Sequence, residues 1–181
     1  MKRHRRTSAV VALALGALGV LVACSTPEQG RTNATTLDLA TFRPVSNMLV
    51  VRCGSLDCHG SRYRNYRLVG PGAGRLEPTA TPEDTEATDA EVAANYGSTI
   101  GVEPETMREV AAARGAGAER LTLVRKARGE EAHKGDRRIA PGDAADRCLL
   151  SWTSGATDTA ACTDALASEP TASPTTDAGR D

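Results

Sequence analysis

The chain has 181 residues and a formal net charge of −1, and only five of its residues are aromatic. This length is typical of one small domain. Acidic residues interrupt its basic clusters, such as those at 125–128 and 137–138, so we interpret the clusters as solvated faces and predict no nucleic-acid partner. Aromatic side chains normally dominate core burial. A domain with so few aromatic residues is therefore expected to need a covalent staple or a cofactor.

The N-terminus predicts an export signal over residues 1–23. Four basic residues between positions 2 and 6 precede an uncharged apolar run at 9–22. That run is shorter than the roughly 20 apolar residues that a spanning helix needs, and it suits the apolar region of a secretory signal.

The apolar run ends in Leu-Val-Ala-Cys at Cys24, which resembles a bacterial lipobox. The resemblance implies cleavage before Cys24, a lipid on its thiol, and a mature chain held outside the cytoplasm. Ser25 stands where some lipoproteins carry an aspartate that retains them in the inner membrane. The resemblance therefore implies the outer membrane, on its periplasmic or surface side, or the outer face of a single cell membrane. An ordinary cleaved signal and an uncleaved anchor are the alternatives.

The mature chain is acidic and divides into four kinds of segment. Without the signal, 18 Lys and Arg oppose 23 Asp and Glu. Residues 24–40 are polar and predict a tether, and the low-complexity stretch 167–181 predicts a disordered tail. Between them, 41–166 predicts one domain, with an acidic linker at 78–89 inside it.

The predicted domain is all-α, with short helices and long loops, because apolar residues recur at helical spacing and no stretch alternates as a strand would. The first helix opens at Thr41 and ends at Gly54. In the last helix we expect Cys162, Ala165 and Leu166 to face inward. The helices after the first are predicted at 89–96, 103–114, 119–128, 143–154 and 158–166.

Four cysteines remain once Cys24 is assigned to lipid, and an exported chain lies in an oxidising compartment. Cys148 and Cys162 are predicted to form a structural disulfide between the last two helices. The other two, Cys53 and Cys58, flank four residues at the end of the first helix.

His59 follows Cys58 directly, and this Cys-x4-Cys-His motif has three open interpretations. The first is covalent haem attachment, in which two thiols and the adjacent imidazole hold the haem. The second is a Cys53–Cys58 disulfide. The third is a zinc site that adds His133 to these three ligands.

The motif resembles the Cys-x-x-Cys-His attachment signal of c-type cytochromes, with two additional residues between the cysteines. Residues 42–60 look like the first helix and haem-attachment loop of class I cytochromes c, and 149–156 look like the last helix of that family. Residues 131–138 resemble a His-x-Gly-Gly stretch of cytochrome-like domains, although Gly135 is followed by Asp136 here. The resemblance spans about residues 41–165, and these three stretches carry it.

The resemblance implies one covalently attached haem c. Cys53 and Cys58 would form its thioether bonds, and His59 would be the proximal iron ligand. His133 is the first candidate for the distal ligand, and Met107 is the alternative.

The same resemblance implies how the haem would complete the domain. It would add a large apolar body to the lean core, with Leu149 and Trp152 packing near it. The implied function is one-electron transfer at the cell envelope, with unknown redox partner proteins and no enzymatic chemistry. The alternative is a haem-free, disulfide-stapled envelope lipoprotein with a structural or binding role.

Overall fold

A computed structural model describes residues 37–77 and 85–168, all within one compact unit. Over these ranges the chain forms helices and loops, with a single isolated bridge between Val69 and Gly74, which confirms the predicted all-α class. The described α-helices are α1 Arg43–Cys53, α2 Asp89–Gly101, α3 Pro104–Ala112, α4 Thr122–Ala127, α5 Ala144–Thr153 and α6 Thr159–Ala167. The predicted signal, the lipobox cysteine Cys24 and most of the predicted tail lie outside the described residues.

Helix α1 follows its prediction closely. Pro44 lies in its first turn, where the missing N–H costs nothing, and the helix ends before Gly54. Helix α2 is longer than predicted. Its inward face includes the buried polar residues Asn95 and Thr99, and a hydrophobic pattern does not identify polar residues as buried.

Two predictions near the C-terminal half are corrected. The helix predicted over 119–128 is a 3-10 turn, Ala118–Arg120, followed by α4, because Leu121 between them has an extended backbone. Leu166 does not face inward: it is 43% exposed, since the narrow buried stripe of α6 is made by small residues that include Cys162 and Ala165.

The core forms where α1 meets the two C-terminal helices. Helices α5 and α6 have the most extensive contact, α1 packs on α6, and the Cys148–Cys162 disulfide joins α5 to α6 as predicted. The ring of Trp152 lies 4.7 Å from Phe42 and 6.2 Å from Tyr96, measured between centroids. These three rings fill the centre of the core.

The long loop between α1 and α2 is tied to the helices by one buried amide. Asn95 accepts a hydrogen bond from the Val69 N–H and donates to its carbonyl oxygen, both at 2.8 Å. The same amide donates to Ser46 of α1 at 2.9 Å. The loop that follows the Cys-x4-Cys-His motif is therefore held in place by α1 and α2.

Candidate cofactor-binding site

A cavity of about 380 Å³ opens at the C-terminal end of α1. This volume lies within the range of small-molecule and cofactor sites. Its wall includes all four of the thiol and imidazole residues singled out in the sequence, namely Cys53, Cys58, His59 and His133. The structure thus brings together residues that are up to 80 positions apart in the chain.

The two cysteines lie at the ends of a tight backbone turn. Cys53 is the last residue of α1, and its carbonyl oxygen accepts a 3.0 Å hydrogen bond from the His59 N–H, which closes the turn. The Cys58 N–H donates to the Ser55 carbonyl oxygen at 2.9 Å. Cys53 and Cys58 are both half-buried free thiols in this structure. Burial raises the pKa of the Cys53 thiol to about 12, so it is protonated and uncharged at neutral pH.

His59 is oriented by the loop that follows it. Its Nδ1 lies 2.8 Å from the carbonyl oxygen of Tyr66, and the two rings are 4.7 Å apart. A carbonyl oxygen can only accept, so Nδ1 donates this hydrogen bond, and Nε2 is the ring nitrogen that remains for another partner. Metal-ligating histidines commonly have this arrangement, with one nitrogen fixed by a carbonyl and the other available to the metal.

His133 reaches the same cavity from the loop between α4 and α5. Its Nδ1 is buried with no hydrogen-bond partner among the described residues. Burial, followed by the charges of His59 and Lys126, holds the pKa of His133 below its ordinary value, so the imidazole is neutral at pH 7. Gly135 makes room for the ring, because a Cβ there would lie 2.7 Å from the His133 Nε2.

The rest of the wall combines apolar surface with positive charge. Tyr66, Val102 and Leu123 contribute carbon surface to the cavity. Four cationic side chains also line it, against one carboxylate, that of Asp57. The cations are Arg64, Lys126, Lys134 and Arg138.

The sequence analysis did not predict these four cationic side chains at the site. Lys126 and Arg138 belong to clusters interpreted as solvated faces, yet both line the cavity. Arg138 lies close enough to Cys53 and His133 for its charge to affect the pKa of each. An apolar cavity with four cationic side chains in its wall suits an apolar ligand that carries carboxylates. No local pattern reveals this, because the cations come from three separate loops and helices.

Other residues of the sequence hypothesis lie elsewhere. Met107 is 3% exposed in the core and does not line the cavity. Trp152 and Leu149 are also buried in the core and are not in the cavity wall. No group of three or more His, Cys, Asp or Glu residues among the described residues is placed to hold a metal ion, so the four-ligand zinc arrangement is not formed there.

Comparison with protein-family models finds no match for this chain, and comparisons with curated proteins and with solved structures find none either. The resemblance to class I cytochromes c therefore rests on the residues themselves. Within the described ranges, every helix is too short or too polar to cross a lipid bilayer.

Proposed function

We propose that this chain is a membrane-anchored, c-type cytochrome-like lipoprotein that transfers single electrons at the cell envelope through a covalently attached haem. The observation that carries the proposal is the meeting of two free thiols and two imidazoles at one apolar cavity. Haem is an apolar ligand with two propionate carboxylates, which suits the apolar surface and the four cationic side chains of the wall.

The residues would hold the haem as follows. Each thiol, on Cys53 and on Cys58, would add across one vinyl C=C bond, with sulfur bonding to carbon and the thiol hydrogen ending on the neighbouring vinyl carbon. No electrons enter or leave in that addition. His59 would bind the iron through Nε2, with its ring held by the Tyr66 carbonyl oxygen, and His133, from the loop between α4 and α5, would be the second iron ligand. Bound haem would supply one reversible electron at its iron.

Maturation of the protein with cytochrome c assembly factors tests the proposal. We expect a Soret band and a covalent mass increase of one haem. The double variant Cys53→Ser, Cys58→Ser removes both attachment sulfurs and should carry no covalent haem. A colourless wild-type protein of unmodified mass would contradict the proposal.

A second pair of variants tests the distal ligand. His133→Ala should leave the haem attached but change its absorption spectrum, because one axial ligand is lost. Met107→Leu is the matched control, since it preserves volume in the core, and should leave the spectrum unchanged. A changed spectrum in the Met107 variant alone would assign the distal position to Met107 instead.

The anchor is tested by Cys24→Ser. We expect the wild-type protein to incorporate labelled fatty acid and to fractionate with membranes, and the variant to do neither. A variant that still carries the label would contradict lipidation at Cys24.

The second candidate function is a haem-free envelope lipoprotein with a structural or binding role. The observation that favours it is the aromatic core of Phe42, Tyr96 and Trp152, which is closed without any cofactor. A colourless protein with a Cys53–Cys58 disulfide would support this candidate over the first.

A further inference from the structure

The loop that carries His133 is fastened to α4 by one carboxylate. Glu131 accepts hydrogen bonds from Arg125 at 3.1 Å to Nε and 2.9 Å to Nη2. Its other oxygen lies 2.7 Å from the Lys126 Nζ. Both cations belong to α4, so a single side chain two positions before His133 pairs with two charges of that helix.

Backbone contacts fasten the same loop at both ends. At the start, the Glu130 N–H donates to the Arg125 carbonyl oxygen at 2.8 Å, and Lys126 donates to the Ala132 carbonyl oxygen at 3.2 Å. At the end, the N–H groups of Arg138 and Ile139 both donate to the Ala127 carbonyl oxygen, at 2.8 and 3.0 Å. His133 therefore lies in the middle of a segment bound to α4 on each side.

Between these attachments His133 itself is weakly held. Its Nδ1 has no hydrogen-bond partner among the described residues, and its ring rests against Gly135, which has no side chain. The position of the imidazole therefore depends on how firmly the loop is attached. Ahead of His133, Glu131 makes the shortest ion pairs of the loop, at 2.7 and 2.9 Å, against 3.7 Å for Glu130.

We infer that Glu131 is a positioning residue for His133, and that it determines whether the distal side of the cavity is closed by the imidazole or open to an external ligand. This inference rests on the proposed haem function. With Glu131 paired, His133 stays at the cavity and the site is limited to electron transfer. With the pairs broken, the loop opens more often and a small anion can reach the iron.

Glu131→Gln is the appropriate variant, because it keeps the shape of the side chain and removes the charge. Glu130→Gln is the matched control: Glu130 is adjacent and has only a 3.7 Å ion pair, to Arg128. The Glu131 side chain is 37% exposed, and partly exposed ion pairs contribute little to global stability. We therefore expect both variants to fold.

The first readout uses the ferric haem-loaded protein and cyanide as the probe. We expect Glu131→Gln to raise the cyanide association rate by roughly threefold to tenfold, the size expected when partly exposed ion pairs are lost from a two-state loop. Glu130→Gln should match the wild type, and His133→Ala should bind cyanide faster than either. Equal rates in the Glu131 and Glu130 variants would overturn the inference.

The second readout needs no haem. In the haem-free protein, hydrogen exchange at the amides of Asp136, Arg138 and Ile139 reports opening of the loop, since these N–H groups bond to His133 and Ala127. Glu131→Gln should exchange faster at these amides and Glu130→Gln should not. A protein that takes up no haem would contradict the proposed function alone, whereas unchanged exchange would contradict the role of Glu131 alone.

Discussion

Gly60 shows how tightly a single residue constrains the turn between Cys53 and His59. It follows His59, and a Cβ at this position would lie 2.1 Å from the carbonyl oxygen of Gly54 and 3.0 Å from that of Ser55. Real Cβ atoms do not approach backbone oxygens this closely. Only glycine allows the chain to pass back across the end of α1 and bring His59 beside Cys53.

We predict that Gly60→Ala is strongly destabilising. The clash is with backbone atoms, which cannot move without opening the turn, so the loss should be roughly 2 kcal/mol or more. Gly97→Ala is the control, because a Cβ there meets nothing within 4 Å in helix α2 and should stabilise by up to about 1 kcal/mol. Thermal unfolding followed by circular dichroism measures both; equal melting temperatures would refute the clash.

The first turn of helix α2 contains a buried carboxylate, Glu91, that binds residues of the preceding loop. Glu91 is fully buried and accepts hydrogen bonds from Arg75 at 2.9 Å and from the Leu76 N–H at 3.0 Å. It also completes a capping box with Thr88. Burial alone would raise the pKa of Glu91, but the hydrogen bonds from Arg75, Leu76 and Thr88 outweigh it and hold that pKa below its usual value.

This carboxylate predicts acid sensitivity. Because the pKa of Glu91 is lower in the folded state, its contribution is complete above its unfolded value, near 4.5, and is lost as the pH falls towards the folded value. Glu91→Gln should be less stable by about 1–3 kcal/mol at pH 7. The difference in the free energy of unfolding between variant and wild type should shrink on acidification. Urea unfolding at pH 7 and below pH 4 measures this difference. A constant difference would contradict this linkage.

The disulfide between α5 and α6 is a covalent staple. The small number of aromatic residues predicted that the domain would need either a staple or a cofactor. Cys148 and Cys162 are 14 positions apart, and both are buried. Their replacement by alanine together should cost about 3 kcal/mol, according to the chain-entropy estimate for a loop of this size. Cys53→Ser with Cys58→Ser is the control and should cost much less, since these thiols are free and half-buried. Denaturant unfolding compares the two pairs directly.

At the scale of the whole molecule, the cavity borders the core without reaching its aromatic centre: Leu123 and Ala127 belong to the core and also line the cavity. Trp152 is fully buried between Phe42 and Tyr96, and none of the three lines the cavity. The expectation that haem completes the core beside Trp152 and Leu149 therefore does not match the structure. Three of the five aromatic residues pack together at this centre, whereas Tyr63 is exposed and Tyr66 lines the cavity.

Because Phe42, Tyr96 and Trp152 pack on one another outside the cavity wall, we predict that the protein folds without haem. The haem-free Cys53→Ser, Cys58→Ser variant should unfold in one cooperative transition. In its folded state, the fluorescence emission of Trp152 should be that of a buried indole. Broad, non-cooperative unfolding in the variant and a sharp transition only in the haem-loaded protein would contradict the prediction.

The amino-acid sequence determined the features that depend on neighbouring residues. Pro44 and Gly54 set the limits of α1, Asp143 and Asp158 cap the last two helices, and the all-α class follows from helical spacing. The Cys-x4-Cys-His motif is also local, because its two cysteines and His59 lie within one turn. These features depend on residues that are close together in the sequence, so a sequence pattern is sufficient to predict them.

The tertiary structure decided which distant residues meet. It brought His133 rather than Met107 to the cavity, turned Arg138 and Lys126 towards it, and placed Trp152 in the core instead. Such choices depend on how helices pack, and packing depends on shape complementarity among residues far apart in the chain. Buried polar residues such as Asn95 and Glu91 hydrogen-bond to distant parts of the chain, and a hydrophobic pattern does not identify them as buried.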